Sequence, residues 1–412
     1  MNPRDLPAAL PGAAAAASFP ALAQTVHGQR LVYLDGAAST LTPRCVIEAI
    51  AHYQSFDHAN VHRGVHALAE RATTRFEDAR EAVRAFVHAS ATREIIFTRG
   101  ATEALNLAAI GLGAGLRPGD EVIVTALEHH ANLVPWQMAC ARSGARLRFI
   151  PVRDDGLLDV GAFESLLGPR SRVLALTQVS NVLGTVVDVA ALLARARAAG
   201  LVTVVDGAQA VAHAEVDVQA LGCDFYAFSA HKMYGPTGIG VLYGRESVLE
   251  RIPPLFGGGD MIETVTLESA TYAALPARLE AGTPNISGAV GLHAAIAFLE
   301  SFDRARLLQA EHQLLAAMER GLSALPGVRV LAAGTPKQGA LSFVVDGVHA
   351  HDVGTVLDRR GIAVRVGHHC AMPVMQRFGV PATVRASLSV HNTLEDVQAL
   401  LDGVRETCER LR

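Results

Sequence analysis

Two lysines stand out in a chain that otherwise carries its positive charge on arginine. Of the 36 basic residues, only Lys232 and Lys337 are lysine. Arginine keeps its proton near neutral pH, whereas a lysine amine can lose its proton and condense with a carbonyl group. Lys337 lies in Thr-Pro-Lys-Gln-Gly, a turn composition that predicts a solvated charge. Lys232 lies between an apolar run and a glycine-rich stretch, and we interpret it as the amine that does chemistry.

A carboxylate at the end of an apolar run suits the same chemistry. Asp206 follows the mostly apolar run Val-Thr-Val-Val at 202–205 and precedes Gly-Ala-Gln. An aspartate in this position can keep a pyridinium nitrogen protonated, so that the ring accepts electrons. A helix-capping aspartate is the alternative. An imine-forming lysine downstream favours the first role.

Two further polar motifs also follow predicted strands. Residues 99–103 read Arg-Gly-Ala-Thr-Glu and open a predicted helix, where backbone N–H groups and the Thr102 hydroxyl are typical of a phosphate site. An ordinary capped helix is the alternative. His129 and His130 follow the next strand. A histidine there could lie over a flat ring or move protons, or it is simply a hydrogen-bonded residue at a strand end.

Cys370 lies in the loop Gly-His-His-Cys-Ala-Met-Pro, between two predicted strands. A loop cysteine flanked by histidines is a candidate nucleophile, and a small buried residue is the alternative. Arg385, on the following strand, could grip a carboxylate through two parallel hydrogen bonds, or form a structural salt bridge. The His58, His62 and His66 series has the spacing of a helical metal face. Its interruption at residue 64 by glycine makes a metal site a poor hypothesis.

The elements that must position these residues alternate along the chain. Apolar runs at 94–98, 121–125, 146–150, 173–177, 202–205 and 224–228 predict buried strands, and the stretches 102–112, 136–143 and 189–199 predict helices. This alternation predicts a mostly parallel α/β sheet that binds ligands at the carboxyl ends of its strands. Beyond residue 295 the pattern predicts a smaller α/β domain: one long helix at 292–325, strands at 328–331, 341–345, 362–366 and 383–389, a helix at 351–360, and a last helix beginning at Thr393.

Composition excludes several other classes. The 412 residues are half hydrophobic with a formal net charge of -4, which gives no reason to expect nucleic-acid or lipid binding. No apolar run reaches the roughly 18 residues of a membrane span. The alanine run at 13–17 favours a frayed terminus over a signal peptide. Five scattered cysteines without a CxxC pair make a disulfide framework or thiolate zinc site improbable. We therefore expect a cytoplasmic protein.

The sequence resembles the group II cysteine desulfurases of the SufS type, in the class V aminotransferase superfamily of fold-type I pyridoxal-phosphate (PLP) enzymes. The resemblance runs from about Phe19 to the C-terminus. It rests on the motifs at 33–39, 60–64, 128–136, 179–184, 206–209, 229–232, 257–262, 280–285 and 365–373. The most specific is the last, because its His-His-Cys loop separates this group from relatives with a longer catalytic loop.

The resemblance implies a fold and a role for each matching residue. It implies a large PLP-binding domain at 30–295 with a mostly parallel seven-stranded sheet, and a small domain at 296–412 with 19–29 packed on it. The low-complexity composition of residues 1–18 separately predicts a disordered segment there. The resemblance implies that Lys232 binds the cofactor covalently, that Asp206 contacts the pyridine nitrogen and that Gln209 contacts the phenolic oxygen. It implies that His129 lies on the ring face and is also catalytic. The implied phosphate contacts are Ala101, Thr102, Ser229, His231 and, across a homodimer interface, Thr283. The implied substrate contacts are Asn181, Arg385, Ala37, His62 and Arg365, with Cys370 as the sulfur-accepting nucleophile.

The implied activity is conversion of L-cysteine to L-alanine with a persulfide on Cys370. The sulfur would pass to a small acceptor protein of the SufE or SufU type that serves iron–sulfur cluster assembly. Selenocysteine lyase, cysteine-sulfinate desulfinase and a non-catalytic PLP-binding regulatory protein are the alternatives. Two positions depart from the family pattern. Ala101 replaces a frequent threonine, which leaves only a backbone donor for phosphate, and Gly36 replaces a common serine, which predicts a looser wall near the substrate.

Overall fold

The structure is a computed structural model that describes residues 11–411. Its α-helices are α1 Pro11–Ala16, α2 Arg44–His52, α3 Ala67–Phe86, α4 Ala101–Gly113, α5 Val134–Ser143, α6 Val160–Leu166, α7 Val189–Ala198, α8 Val218–Leu221, α9 Glu246–Leu249, α10 Ile286–Glu300, α11 Arg304–Ser323, α12 Ala350–Arg359, α13 Met372–Arg377 and α14 Leu394–Leu411. Its strands are β1 Thr25–Val26, β2 Gln29–Arg30, β3 Val32–Tyr33, β4 Ile95–Thr98, β5 Glu121–Thr125, β6 Arg146–Ile150, β7 Ser171–Thr177, β8 Val202–Asp206, β9 Phe225–Ser229, β10 Gly240–Gly244, β11 Ile262–Val265, β12 Ala270–Tyr272, β13 Val328–Val330, β14 Ala340–Val345, β15 Ile362–Ala363, β16 Arg365–Gly367 and β17 Thr383–Ser387.

A seven-stranded sheet with the order β4-β10-β9-β8-β7-β5-β6 forms the centre of the large domain. The strands from β5 to β9 are parallel, and β10 is antiparallel to both β4 and β9. The mostly parallel α/β fold is therefore confirmed, and all six predicted strands are present. The sequence pattern missed β10, which begins and ends with glycine. A Cβ at Gly240 would lie 2.4 Å from the Gly100 Cα atom, so a close approach of two backbones requires that glycine.

Alternating side chains of the parallel strands pack into cores on opposite faces of the sheet. Ile123, Leu174 and Val205 belong to one buried cluster, which includes side chains of α10 and α3. Their neighbours Val124 and Val204 belong to a second cluster, which includes side chains of α4 and α5. Burial on both faces explains why these strands appear in the sequence as continuous apolar runs, and it leaves the polar residues at the strand ends.

The small domain is built on the antiparallel sheet β13-β14-β17-β16 and has its own core with α11, α12 and α14. The prediction of one helix at 292–325 is wrong. The helix is divided into α10 and α11 at residues 301–303, where the Asp303 side chain accepts a hydrogen bond from the Arg306 N–H and starts α11. Helix α10 packs on α2 and α3, whereas α11 packs on α14. The predicted domain boundary at 295/296 therefore falls inside α10.

The described part of the N-terminal segment is ordered. Residues 11–16 form α1, so the prediction of disorder is wrong for this part of the segment 1–18, while residues 1–10 lie outside the described residues. Phe19 is buried against the rings of Tyr234 and Phe298, with centroids 5.9 and 5.6 Å away. Farther on, His27 pairs with Asp358 of α12 at 2.8 Å, which ties the segment 19–29 to the small domain as well.

Lys337 does not carry the solvated charge that its turn composition predicts. Its side chain is buried, lies 2.8 Å from the Glu319 carboxylate and donates to the Ala332 carbonyl oxygen. The tertiary structure thus brings a counter-ion that the local sequence does not show. Within residues 11–411, no helix combines the length and apolar character needed to cross a membrane.

Candidate active site

Lys232 lies at the carboxyl end of β9, in the short 3-10 helix Ala230–Lys232. Its amine has no hydrogen-bond partner among residues 11–411. Burial lowers the pKa of the Lys232 amine below its usual value, although the charges of Asp206 and Cys370 oppose this effect. A lysine with a lowered pKa and a free amine can attack a carbonyl group near neutral pH.

Asp206 ends β8, the parallel neighbour of β9, so that it lies at the same edge of the sheet as Lys232. Its Oδ1 accepts a hydrogen bond from the Ala208 N–H at 2.9 Å. Burial raises the pKa of the Asp206 carboxyl, and the Lys232 charge lowers it. Gln209 is buried beside it and donates its Nε2 to the Ala37 carbonyl oxygen at 2.9 Å. The motif at 206–209 therefore presents a carboxylate and an amide to the space in front of Lys232.

His129 follows β5 and begins a 3-10 helix, His130–Asn132. Its Nδ1 accepts a hydrogen bond from the Ala131 N–H at 3.0 Å, so the ring proton sits on Nε2. Burial lowers the pKa of His129 to about 3, and the Lys232 charge acts in the same direction. The ring is therefore neutral at physiological pH, and a neutral flat imidazole suits stacking on another ring.

The predicted phosphate ligands line a single cavity of about 490 Å³ at the start of α4: Thr102, Ser229 and His231. Burial lowers the pKa of His231 to about 4, so its neutral ring can still donate one hydrogen bond. The Ala101 N–H donates to the Ser229 Oγ at 2.7 Å. This backbone donor is thus already engaged, rather than free for phosphate as the sequence predicts. Thr283 lines a neighbouring cavity of about 480 Å³.

Two arginines on the small domain, Asp35 after β3 and Asn181 after β7 form a further polar group at the site. Arg385 on β17 is buried and donates from one terminal nitrogen to the Asn181 carbonyl oxygen at 2.8 Å, while its Nε has no partner. Burial lowers the pKa of Arg385 to about 10. Arg365 binds both oxygens of Asp35, at 2.6 and 3.3 Å. Asp35 Oδ1 also lies 3.6 Å from a terminal nitrogen of Arg385. One carboxylate thus faces two guanidinium groups, and one positive charge remains for an anionic ligand.

Cys370 is exposed in the loop between β16 and α13. His369 and Cys370 both have left-handed backbones, with φ of 50° and 53°. The loop is tied to the large domain by the Asn181 amide, which donates to the His369 carbonyl oxygen at 2.6 Å. Cys370 is close enough to Lys232 and Arg385 for its thiolate charge to influence both. The structure thus brings the predicted nucleophile, the lysine and the arginine to one site.

Three other predictions have different outcomes. Ala37 is buried at the site, between the Ser387 hydroxyl and the Gln209 amide. Within the described chain His62 instead contacts Glu77, at 3.0 Å. The prediction of a looser wall at Gly36 is wrong, because a Cβ at this position would lie 2.3 Å from the Ser389 Oγ. The serine side chain at 389 occupies the space that the glycine leaves.

Glu128 is a buried residue at this site to which the sequence assigned no role. Its Oε1 accepts from the Thr125 hydroxyl at 2.5 Å and the Thr177 N–H at 2.9 Å, and its Oε2 accepts from the Asn132 amide at 2.6 Å. It therefore joins the ends of β5 and β7. Burial raises the pKa of Glu128 to about 8 against the effect of these hydrogen bonds. The only sequence signal for a role of Glu128 was its position before two histidines. The sequence does not show that this carboxylate is buried.

These features fit PLP. The free Lys232 amine suits the cofactor aldehyde, Asp206 suits the pyridine nitrogen, and the cavity beside Ser229 and His231 suits the phosphate. The unpartnered Nε of Arg385 is a donor left for a substrate carboxylate. The fold and site therefore define a fold-type I PLP enzyme.

Comparisons with known proteins give the family. The Aminotransferase class-V family model matches residues 32–400, and the chain belongs to this family. It is 48% identical to a probable cysteine desulfurase of Vibrio cholerae over 396 residues, 96% of this chain and 98% of the relative. It superposes on the cysteine desulfurase CsdA (S-sulfonic acid) of Escherichia coli with a TM-score of 0.91 and 43% identity, over 97% and 99% of the two chains. A C-DES variant solved with glycine covalently linked to its PLP cofactor gives a TM-score of 0.81 and 25% identity, over 95% and 98%.

Proposed function

We propose that this chain is a PLP-dependent cysteine desulfurase. It converts L-cysteine to L-alanine and retains the sulfur as a persulfide on Cys370. The observation that carries the proposal is the meeting of an exposed loop cysteine with a half-buried, unpartnered lysine amine and a buried arginine. The curated relatives at 48–50% identity that bear the name cysteine desulfurase support it.

The two ends of the substrate have separate partners. Arg385 binds the L-cysteine carboxylate through the guanidinium face that includes its free Nε, because a planar guanidinium can make two parallel hydrogen bonds to a carboxylate. Asn181 supports this contact, since its carbonyl oxygen already orients Arg385. With the carboxylate held there, the substrate side chain extends toward the loop of Cys370.

Bound PLP supplies an electron sink for the pair released when the Cα–H bond breaks. The Lys232 amine removes that proton, since its lowered pKa leaves a lone pair on Nζ. When PLP is bound, the Asp206 carboxylate would hold a proton on the pyridine nitrogen, and the neutral His129 ring would lie against the ring of the cofactor. Gln209, Thr102, Ser229, His231 and a partner's Thr283 complete the proposed cofactor contacts.

The Cys370 thiolate then attacks the sulfur of the substrate. The new S–S bond forms as the substrate C–S bond breaks, and the electron pair goes to the substrate Cβ, which takes a proton to become the alanine methyl group. L-cysteine and the Cys370 thiol thus give L-alanine and a Cys370 persulfide, with no outside oxidant. Covalent capture divides a difficult step into two easier ones.

We also propose a homodimer. The hairpin β11–β12 follows the glycine-rich segment 257–259 and exposes Val265 and Leu267. Apolar side chains on a protruding hairpin are typical of a surface that another chain covers. A partner's hairpin would complete the wall of the site, and Thr283 would reach the phosphate of the other subunit.

We propose that the persulfide sulfur passes to a small acceptor protein of the SufE or SufU type for iron–sulfur cluster assembly, in the cytoplasm. All five cysteines, including Cys370, are free thiols. A reducing compartment keeps such thiols reduced, and the exposed position of Cys370 lets an acceptor thiol reach its persulfide.

The deciding experiment measures alanine and sulfide from L-cysteine with dithiothreitol, for the wild type and Cys370→Ala. Both products from the wild type alone would support the proposal. Equal alanine from both proteins would contradict the role of Cys370 and favour selenocysteine or cysteine sulfinate as the substrate. In that case, measuring alanine formation by the wild type and Cys370→Ala from selenocysteine and from cysteine sulfinate identifies the preferred substrate.

A further inference from the structure

His130 connects the large domain to the loop that carries Cys370. Its backbone N–H donates to the Cys370 carbonyl oxygen at 2.7 Å. Its ring Nε2 accepts a hydrogen bond from the Met372 N–H at 3.2 Å. The two contacts flank Ala371, so one residue fixes the backbone immediately after the residue that bears the thiol.

The loop needs such support because its backbone is strained. His369 and Cys370 have φ of 50° and 53°, a region that non-glycine residues rarely adopt because Cβ approaches the following carbonyl oxygen. Within the loop, the His368 Nδ1 accepts from the Cys370 N–H at 3.1 Å. That bond fixes the loop to itself but not to the large domain. Among the hydrogen bonds described above, those of His130 and Asn181 provide the link to the large domain.

The direction of the ring contact is fixed by chemistry. A backbone N–H can only donate, so the His130 Nε2 must carry the lone pair and Nδ1 the proton. Burial lowers the pKa of His130, and the neighbouring His368 charge acts in the same direction. The two rings lie 5.8 Å apart. The neutral ring is therefore the stable form, and it keeps the acceptor that Met372 needs.

We infer that His130 is a positioning residue for sulfur transfer, which holds Cys370 at the distance from Lys232 that attack on the substrate sulfur requires. The inference rests on the proposed desulfurase function. It assigns different tasks to adjacent residues, since the His129 ring serves the cofactor and the His130 ring serves the nucleophile. His130 acts through the loop and touches no reacting atom.

The role separates two reactions that share the cofactor. Removal of sulfur from L-cysteine needs the Cys370 thiolate to accept the sulfur. L-cysteine sulfinate can lose its Cβ–S bond without a nucleophile, because sulfur dioxide departs and leaves the bonding electron pair on Cβ, which takes a proton to give alanine. Misplacing Cys370 should therefore slow the first reaction and spare the second. Damage to the fold or to the cofactor site would slow both.

The test uses the PLP-loaded enzyme and the pair His130→Leu and His130→Gln. Leucine removes the acceptor, while glutamine places a carbonyl oxygen near the position of Nε2. We expect His130→Leu to lower alanine formation from L-cysteine roughly 10- to 100-fold, as a displacement of about 1 Å does in active sites. Alanine formation from L-cysteine sulfinate should stay within about threefold, and His130→Gln should recover most of the cysteine activity.

Equal losses on both substrates, or wild-type cysteine turnover in His130→Leu, would overturn the inference. If His130→Leu does not fold, His130→Lys replaces it, because its ammonium presents a donor to the Met372 N–H. Faster alkylation of Cys370 by iodoacetamide in that variant than in His130→Gln would support the docking role, and equal rates would overturn it. A wild type that forms no alanine from L-cysteine would instead remove the proposed function, and this result is seen before any variant is compared.

Discussion

Arg80 and Glu280 form a two-point ion pair inside the large domain, with nitrogen–oxygen distances of 2.7 and 2.9 Å. The Arg80 guanidinium also lies 4.7 Å from the centre of the Phe97 ring, and the Phe97 N–H donates to the Glu280 Oε1 at 2.6 Å. Glu280 stands three residues before Thr283, the proposed phosphate ligand of the partner. The pair therefore fixes the start of that segment to β4 and α3.

This geometry predicts that removing one partner of the pair is costly. Arg80→Met leaves the Glu280 carboxylate buried without a counter-ion, and should lower the free energy of unfolding by roughly 3–5 kcal/mol. The control is Arg84→Met, one turn along α3, whose pair with Glu81 is solvent-exposed; exposed pairs contribute about 0–1 kcal/mol. Urea unfolding of both variants measures the difference, and similar midpoints would contradict the prediction.

The free amine of Lys232 predicts selective covalent attachment of PLP. Reduction with borohydride should leave the cofactor on the peptide that contains Lys232. Lys337 is the internal control, because its ammonium is occupied by Glu319 and the Ala332 carbonyl oxygen. Peptide mass spectrometry distinguishes the two, and a label on Lys337 alone would refute the assignment.

The unpartnered Nε of Arg385 predicts a substrate-binding defect on conservative replacement. Arg385→Lys keeps the charge but loses the two-point contact. A hydrogen bond to a charged group contributes roughly 1.5–3 kcal/mol, so KM for L-cysteine should rise roughly 10- to 100-fold. Arg365→Lys is the matched comparison, and its effect should be smaller because Asp35 binds that guanidinium at 2.6 Å, more closely than its 3.6 Å contact with Arg385. Steady-state kinetics of both variants test this, and the reverse order would contradict it.

Burial of His391 should make the free energy of unfolding depend on pH in the acid range. It is buried beside Phe19, both ring nitrogens lack partners, and burial lowers its pKa to about 4. An unfolded histidine has a pKa of about 6.5. Between these values the unfolded state binds a proton that the folded state does not, so His391 makes stability fall as the pH drops from about 6.5 to about 4.

The matching measurement is urea unfolding at pH 5 and pH 7.5. His391→Phe should lose less stability than the wild type between these conditions, by about 1.4 kcal/mol for each pH unit below about 6.5. The control is His312→Leu, because the His312 side chain is exposed to solvent in the folded protein as well as in the unfolded chain. If the wild type and His391→Phe lose the same free energy of unfolding between pH 7.5 and pH 5, burial of this ring does not contribute to the acid sensitivity.

Much of the large domain follows from local sequence. The runs at 121–125 and 146–150 match β5 and β6 residue for residue. Strand β5 lies inside the sheet and is buried from 122 to 125, and a strand buried on both faces needs apolar residues in succession. Strand β6 is an edge strand, which explains why it tolerates the exposed Arg146. Lys232 could be singled out because arginine carries nearly all of the positive charge, which leaves only two lysines to consider, and because the other one lies in a turn-like sequence. The residues at the strand ends were likewise found, because a parallel sheet collects them at one edge.

Other features depended on distance in space, which no local pattern encodes. Lys337 has a turn-like sequence, yet Glu319 lies beside it and stabilises its burial. Gly36 is explained only by Ser389, more than 350 residues along the chain and 2.3 Å from the missing Cβ. The sequence by itself determined which side chains can do the chemistry and at which strand ends they lie. Only the tertiary structure decided that the Cys370 loop is held by His130 and Asn181, because those hydrogen bonds join two domains whose residues the chain keeps far apart.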